Sequence, residues 1–197
     1  MITSNNGIAF IKQCEGCHLE AYKLKGEKYY TIGYGHTFDD KIKHDTKWTL
    51  EQAHKALVKD LEQPEFYVNQ IALSKFPKLN QNQFDALVSY TYNRGVGNVT
   101  CANGLRQLIK NSNTIKELSN NIVKYWGTAT TYKNGLVNRR KKEQKLFNTP
   151  CKIKSIEEVA REVIAGKWGN GDTRKALLES SGYNYREIQN LVNKMLK

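Results

Sequence analysis

The side chains best suited to chemistry lie near the start of the chain. Glu15-Gly16 is followed, after a short gap, by Tyr29-Tyr30-Thr31-Ile32-Gly33-Tyr34-Gly35-His36-Thr37. A carboxylate at the end of a short amphipathic stretch thus runs into an aromatic, β-branched segment punctuated by glycine. The segment alternates in side-chain character and predicts a strand. Its expected partner runs from Leu19 to Lys25, with Gly26-Glu27-Lys28 making the turn. One acid held beside a small β-hairpin can hand a proton to the bridging oxygen of a polysaccharide in a cleft. A glutamate in isolation is most often a solvated charge, and glycines alone only shape turns. The combination is what points to acid chemistry. His36, placed after a Gly-rich strand, is expected to bond backbone rather than move protons.

The elements that must position this acid are mostly helical. Ile8, Phe10, Ile11 and Cys14 give a short amphipathic helix ending near Glu15. Thr49-Leu50-Glu51-Gln52 reads as a capping box opening a helix with Ala53, Ala56, Leu57 and Leu61 on one face, which Pro64 closes or bends. Asn80 to Gln83 starts another, with Phe84, Leu87, Val88 and Tyr92 at helical spacing, broken at Gly95-Val96-Gly97. Leu105, Leu108 and Ile109 predict a helix, Ile115 to Val123 the next, and Leu136 to Phe147 a basic one. A boundary falls near Asn148-Thr149-Pro150. Beyond it, Ser155-Ile156-Glu157-Glu158 is a capping box for a helix ended by Gly166, followed by helices over Thr173 to Ser180 and Arg186 to Leu196. The expected class is α+β, mostly α: a domain over 1–148 with a small antiparallel hairpin lobe, a linker over 149–154, and a three-helix bundle over 155–197. Such a bundle is near the lower limit for independent stability.

The chain has 197 residues and a formal charge of +12. Residues 151–197 hold nine basic and six acidic residues, so +9 lies in residues 1–150. A basic surface concentrates an anionic polymer, nucleic acid or an acidic bacterial wall. No helix-turn-helix, zinc-finger or RNA-recognition signature is present, so nucleic acid is not the expected partner. No apolar run approaches bilayer length, and the first residues lack a basic region followed by an apolar core. Membrane insertion and a secretory signal are therefore not expected. Cys14, Cys17, Cys101 and Cys151 are expected to be reduced thiols. Cys14-Glu15-Gly16-Cys17 has redox spacing, but no second pair completes a zinc site. No metal or other cofactor is expected.

Glu15-Gly16, Ala21-Tyr22 and Tyr30 to His36 resemble the catalytic start of the phage-type lysozymes, glycoside hydrolase family 24. Phe84 to Tyr90 followed by Asn93-Arg94-Gly95-Val96-Gly97 is similar to that family's central helix and glycine turn. Trp126, Gly135-Leu136, Arg139-Arg140, Glu143 and Leu146 resemble its closing signature. The resemblance covers roughly residues 5 to 148. It implies a lysozyme-like domain with Glu15 as general acid and Arg139 as the cation that orients it, Arg140 being the near alternative. Burial of a carboxyl favours its protonated form, and such a cation pulls the other way. Thr31 matches the family's threonine and is the candidate to orient water alone where no second carboxylate serves. Tyr22, Tyr34, Asn93 and Arg139 are the expected substrate contacts, and Trp126 is either a sugar platform or core. The family pattern is a Glu, eight intervening residues, an Asp or Cys, five intervening residues, then a Thr. Leu24 and Lys25 fill those spacings here, and the hairpin is one residue longer. The second carboxylate is missing from its usual place. Glu27 in the turn is the candidate substitute, with Glu20 a weaker one.

The tail resembles a second family. Ala160 to Ile164, Gly166-Lys167-Trp168-Gly169-Asn170-Gly171, Arg174, Gly182-Tyr183 and Val192-Asn193 look like one CW-seven-type cell-wall-binding repeat. That resemblance implies muropeptide contact by Trp168, Asn170, Arg174 and Tyr183, although Trp168 and Tyr183 equally suit a role as staples of a small core. Together the resemblances imply an endolysin muramidase cutting the β-1,4 link between N-acetylmuramic acid and N-acetylglucosamine. It would be made in the host cytoplasm and reach the wall through a separate holin-like protein. Two alternatives stay open. One is lytic transglycosylation, in which the sugar's own 6-hydroxyl closes an anhydro ring and one carboxylate suffices. The other is a non-catalytic basic binder of wall or nucleic acid.

Overall fold

The computed structural model describes residues 1–101, 104–124, 133–151 and 154–196. Helix α1, Asn5–Glu15, opens where the Ser4 hydroxyl accepts from the Gly7 amide and ends at Gly16. Gly16 has φ 72°, a left-handed conformation that costs glycine little. Buried Ile11 anchors the helix, so its last residue, Glu15, is carried to a fixed place.

Strands β1, His18–Tyr22, and β2, Thr31–Gly33, form a two-stranded antiparallel sheet. His18 pairs with Gly33 and Tyr22 with Thr31, so β1 carries a bulge of two residues. The ribbon is shorter than the alternation predicts at both ends. Gly33 and Gly35 take φ values of 67° and 93°, and Ile32 and His36 exchange both backbone hydrogen bonds at 3.0 Å. The expected long strand therefore folds back at Gly33-Tyr34-Gly35. The partner strand stops at Tyr22, and residues 23–30 form a loop containing a turn in which Glu27 N donates to Leu24 O.

Helix α2, Leu50–Asp60, has the expected Thr49–Gln52 capping box. Pro64 marks its end: the helix stops at Asp60, four residues earlier, where the proline's ring and missing amide deny the carbonyl a helical partner. The proline sits in the first turn of a separate helix, α3, Glu62–Tyr67, where a missing amide costs nothing. A π-helical turn, Val68–Ala72, and a short turn, α4, Leu73–Lys75, follow. Helix α5, Gln81–Arg94, is the spine, opened by an Asn80–Gln83 capping box. Phe84, Ala86, Leu87, Val88 and Tyr90 are fully buried, as are the polar Asp85 and Ser89. A helix covered on all sides shows weak amphipathicity, and its polar residues must find partners inside. Helices α6, Leu105–Lys110, and α7, Ile115–Lys124, lead to α8, Lys133–Asn148, which packs along α5. Trp126 lies outside the described residues.

Helices α9, Ile156–Ile164, α10, Gly171–Ser180, and α11, Tyr185–Met195, form the expected tail bundle. The first has its Ser155–Glu158 capping box. The tail's core is Val159, Ala160, Val163, Leu178, Ile188 and Val192, and it shares no residue with the larger core that runs from Ile11 to Phe147. The two units meet at a small cavity of about 240 Å³ lined by Asn5, Gln81, Glu162, Trp168 and Tyr183 among others.

Candidate active site

Glu15 stands on the wall of an open cleft of about 580 Å³. Gly35, Thr37 and Phe38 after β2, Lys59 and Asp60 at the end of α2, and Tyr92 and Asn93 near the end of α5 line it as well. Gly35 brings the backbone close: a Cβ there would stand 3.8 Å from Glu15 Oε2 and 3.7 Å from the Tyr92 hydroxyl. That hydroxyl donates to Tyr34 O at 2.8 Å, tying the glycine turn to the spine helix. Burial pushes the Tyr92 phenol well above its usual value, with the charges of Asp60 and Glu15 adding to the effect.

Arg139 is the cation behind the acid. Its Nη1 donates to Glu15 Oε1 at 2.6 Å, and the Glu15 side chain is 19% exposed. Arg139 is itself held by Glu143, whose Oε1 accepts from Arg139 Nε at 3.1 Å and from the Ser89 hydroxyl at 2.8 Å. Glu143 also meets Arg140, with Nε to Oε2 at 3.0 Å and Nη2 to Oε1 at 3.1 Å. Arg140 lies over the Tyr90 ring and donates to Asn93 Oδ1 at 2.6 Å. Two guanidiniums and two carboxylates thus neutralise one another between α1, α5 and α8. Complete burial pushes the Glu143 carboxyl up against the pull of both arginines. Burial draws Arg139 down, but Glu143 and Glu15 together outweigh it, and its guanidinium ends above its usual value. Arg140, desolvated and next to Arg139, ends below. A chain of charge-assisted bonds of this kind fixes the rotamer of its exposed end, which here is Glu15.

The other expected site residues divide. Asn93 lines the cleft, turned toward Arg140. Thr31 begins β2 opposite Tyr22 and does not line the cleft. Tyr22 is 38% exposed and meets the His18 ring at a tilt, with centroids 4.8 Å apart. The Tyr34 ring sits under Lys12 at 5.1 Å, so its carbonyl rather than its ring faces Tyr92. Glu27 Oε2 accepts from Leu24 N at 3.1 Å within its exposed loop, while Glu20 pairs with Lys47 at 2.7 Å. The main chain of His36 bonds backbone at Ile32, but its ring takes Asp60 in place of the expected backbone partner, with Nδ1 to Oδ2 at 2.8 Å. That hydrogen bond is the main reason its pKa is raised. Cys14 and Cys17 are free thiols, and burial pushes the Cys14 thiol up. In the tail, Trp168 and Tyr183 meet edge to face at 6.0 Å and pack on the small core, while Arg174 donates to Asn170 Oδ1 at 2.9 Å. Sequence reading missed Asp60, Tyr92 and Phe38 as cleft residues. No spacing links them to Glu15. Among the described residues, no cluster of His, Cys, Asp and Glu could hold a metal ion.

Residues 12–143 match the family model described as phage lysozyme, more than half of the chain. The chain belongs to the phage lysozyme family. The match runs from Lys12 to Glu143 and so takes in the whole ionic chain from Glu15 to Glu143. Residues 157–196 match the CW_7 repeat. The endolysin of Bacillus phage B103 is 39% identical over 174 residues, 88% of this chain and 62% of that protein. The endolysin of Lactococcus phage c2 is 38% identical over 156 residues, 79% of this chain and 64% of that protein. The chain thus spans less than two thirds of the length of either relative. Among solved structures, the muramidase domain of SpmX from Asticaccaulis excentricus superposes with a TM-score of 0.62 at 30% identity, covering 75% of this chain and 97% of that one. The phage lysozyme fold, mostly helical with a small antiparallel hairpin, is therefore common to both. No described helix is long and apolar enough to cross a membrane.

Proposed function

We propose that this member of the phage lysozyme family is an endolysin that hydrolyses the β-1,4 bond between N-acetylmuramic acid and N-acetylglucosamine in peptidoglycan. The observation that carries the reading is Glu15, seated on the cleft wall and clamped by Arg139 at 2.6 Å. Glu15 donates a proton to the bridging oxygen as the bond to the anomeric carbon breaks. Arg139 holds the carboxyl in line and balances the carboxylate left behind. Two arrangements serve the attacking water, Glu27 swinging in as the second carboxylate or Thr31 alone orienting it. The loop that carries Glu27 borders the cleft, since its Tyr29 touches Phe38 on the cleft rim. Tyr22, Tyr34 and Asn93 are the remaining glycan contacts. The family match and relatives named endolysin or muramidase support this assignment.

The catalytic unit is residues 1–148, joined through 149–154 to a wall-binding repeat over 155–197. Separate hydrophobic cores support that division. The repeat contacts muropeptide through Trp168, Asn170, Arg174 and Tyr183. Synthesis is cytoplasmic, release needs a separate holin-like protein, and neither nucleic acid nor membrane is a partner.

A turbidity assay on bacterial walls tests the acid. Glu15→Gln is expected to lower lysis about 10²–10⁴-fold, and lysis at the parent's rate by that variant would end the assignment. Leu24 and Lys25, where the family places its second acid, favour one rival, transglycosylation. Mass spectrometry of the digest separates the two, since reducing ends mean hydrolysis and anhydro-muramic ends mean ring closure.

A further inference from the structure

Phe38 is the one non-glycine residue with a positive φ, 64°, among the described residues. Its side chain is also largely in water, 79% exposed. A large aromatic residue gains nothing locally from either condition. The left-handed region crowds its Cβ, and exposure leaves its apolar surface wet.

The surroundings show what enforces the conformation. On one side, His36 is fixed by Asp60 and by its backbone pairing with Ile32. On the other, Asp39 Oδ1 accepts from Lys41 N at 2.8 Å, Asp39 O accepts from Ile42 N at 3.2 Å, and Ile42 is buried. The chain must turn between these two points, and Phe38 is at the turn. Tyr29 meets its ring edge-on with centroids 5.5 Å apart, and Lys28 lies over Tyr29. The ring is therefore exposed but supported. It lines the same cleft as Glu15. Strained residues kept in place by over-determined surroundings concentrate at ligand sites.

We infer that Phe38, propped by Tyr29, is a stacking platform for one pyranose ring of the glycan strand. The apolar C–H face of a β-linked amino sugar covers the phenyl ring, and the strand is thereby held along the cleft past Glu15. This rests on the reading of the cleft as a glycan site.

The strain supplies an unusual test. Phe38→Gly removes the ring and also relaxes the backbone, since glycine adopts positive φ freely. That variant is expected to melt no lower than the parent. On soluble peptidoglycan fragments its KM should rise about tenfold, with a smaller fall in kcat. Phe38→Trp keeps a platform and should restore KM. Binding of tri-N-acetylchitotriose, followed by NMR on Glu15→Gln protein so that nothing is cleaved, should weaken by a similar factor when Phe38→Gly is added. Unchanged KM and unchanged binding in Phe38→Gly would overturn the inference. So would a lowered melting temperature, because the ring would then be a staple for the loop. Failure of the parent to cleave walls would instead sink the reading of Glu15, whereas loss of the trisaccharide on Phe38→Gly would still register.

Discussion

Two glutamates in this molecule do formally the same thing in opposite surroundings. Glu143, between α5 and α8, serves two arginines and accepts one neutral bond, from the Ser89 hydroxyl. Glu162, on α9 of the tail, serves Lys154 at 2.7 Å and Lys167 at 3.9 Å, and accepts one neutral bond from Trp168 Nε1. Glu143 is fully buried, whereas the Glu162 side chain is 21% exposed beside lysines that are 45% and 66% exposed. Desolvation makes the first arrangement costly to break, because each member would leave an uncompensated charge inside. Water replaces a lost partner in the second. The partners match this division, since rigid guanidinium forks suit a buried geometry and flexible ammoniums an exposed one. Rigidity is thus built where Glu15 must be aimed, and the tail relies instead on its small apolar core.

Breaking the buried cluster is expected to give the largest effect. Glu143→Gln keeps the shape but leaves Arg139 and Arg140 with Glu15 alone, and should cost about 3–5 kcal/mol in urea unfolding. A loss below about 1 kcal/mol would show that water or rearrangement already compensates these charges, and the contrast would fail. Asp85 sharpens the contrast by removing the cations. It is buried and bound only by neutral donors: the Ser4 amide at 3.0 Å, the Ser4 hydroxyl, and Gln81 Nε2 at 2.7 Å. Burial outweighs those bonds and raises its pKa from 3.8 to about 6. A raised carboxyl binds its proton more tightly when folded. Its contribution is therefore fully present below pH 3.8 and is lost as pH rises through about 6. Asp85→Asn abolishes that term. The stability of the parent relative to the variant should fall by about 3 kcal/mol between those limits. A flat difference would show that Asp85 is solvated or already paired with a cation.

What the sequence revealed follows the range of the interactions involved. The capping boxes at Thr49 and Ser155 and the helix start at Asn80 depend on residues three apart, and each stands where the spacing places it. Glu15 and Arg139 were legible through motif likeness, and they meet across 124 positions of chain. The strand ends were not legible, because alternation continues through Gly33 and Gly35 while their positive φ values reverse the chain. Nothing in the sequence singles out Asp60. Its pairing with His36, 24 residues earlier, is set by the packing of α2 on β2 and leaves no local pattern. Phe38 was invisible for the same reason. Nothing in Thr37-Phe38-Asp39 announces a left-handed aromatic.

The His36–Asp60 pair lies between the two extremes, with side chains 19% and 24% exposed. The hydrogen bond to Asp60 raises the histidine pKa against the opposing effect of burial. A histidine raised in the folded state contributes stability that is fully present below its ordinary 6.5 and lost as pH rises through the higher folded value. Asp60→Asn should therefore cost about 1–2 kcal/mol at pH 5–6 and progressively less above neutrality. A cost that grows with pH would show that Asp60 matters through some other partner.

The smallest effect belongs to the exposed partner in the comparison. Glu162→Gln keeps a hydrogen-bond acceptor for Trp168 and loses only its charge toward two solvated lysines. The expected loss in unfolding free energy is below about 1 kcal/mol, shrinking further as salt screens the parent's pair. Lys154 holds a second link to the bundle, its backbone amide donating to the Tyr183 hydroxyl at 2.8 Å, so the corner stays closed when the charge is gone. If Glu162→Gln instead matched Glu143→Gln in cost and ignored salt, the ammoniums would have to be desolvated. The tail would then be held by the same kind of buried ionic lock that aims Glu15.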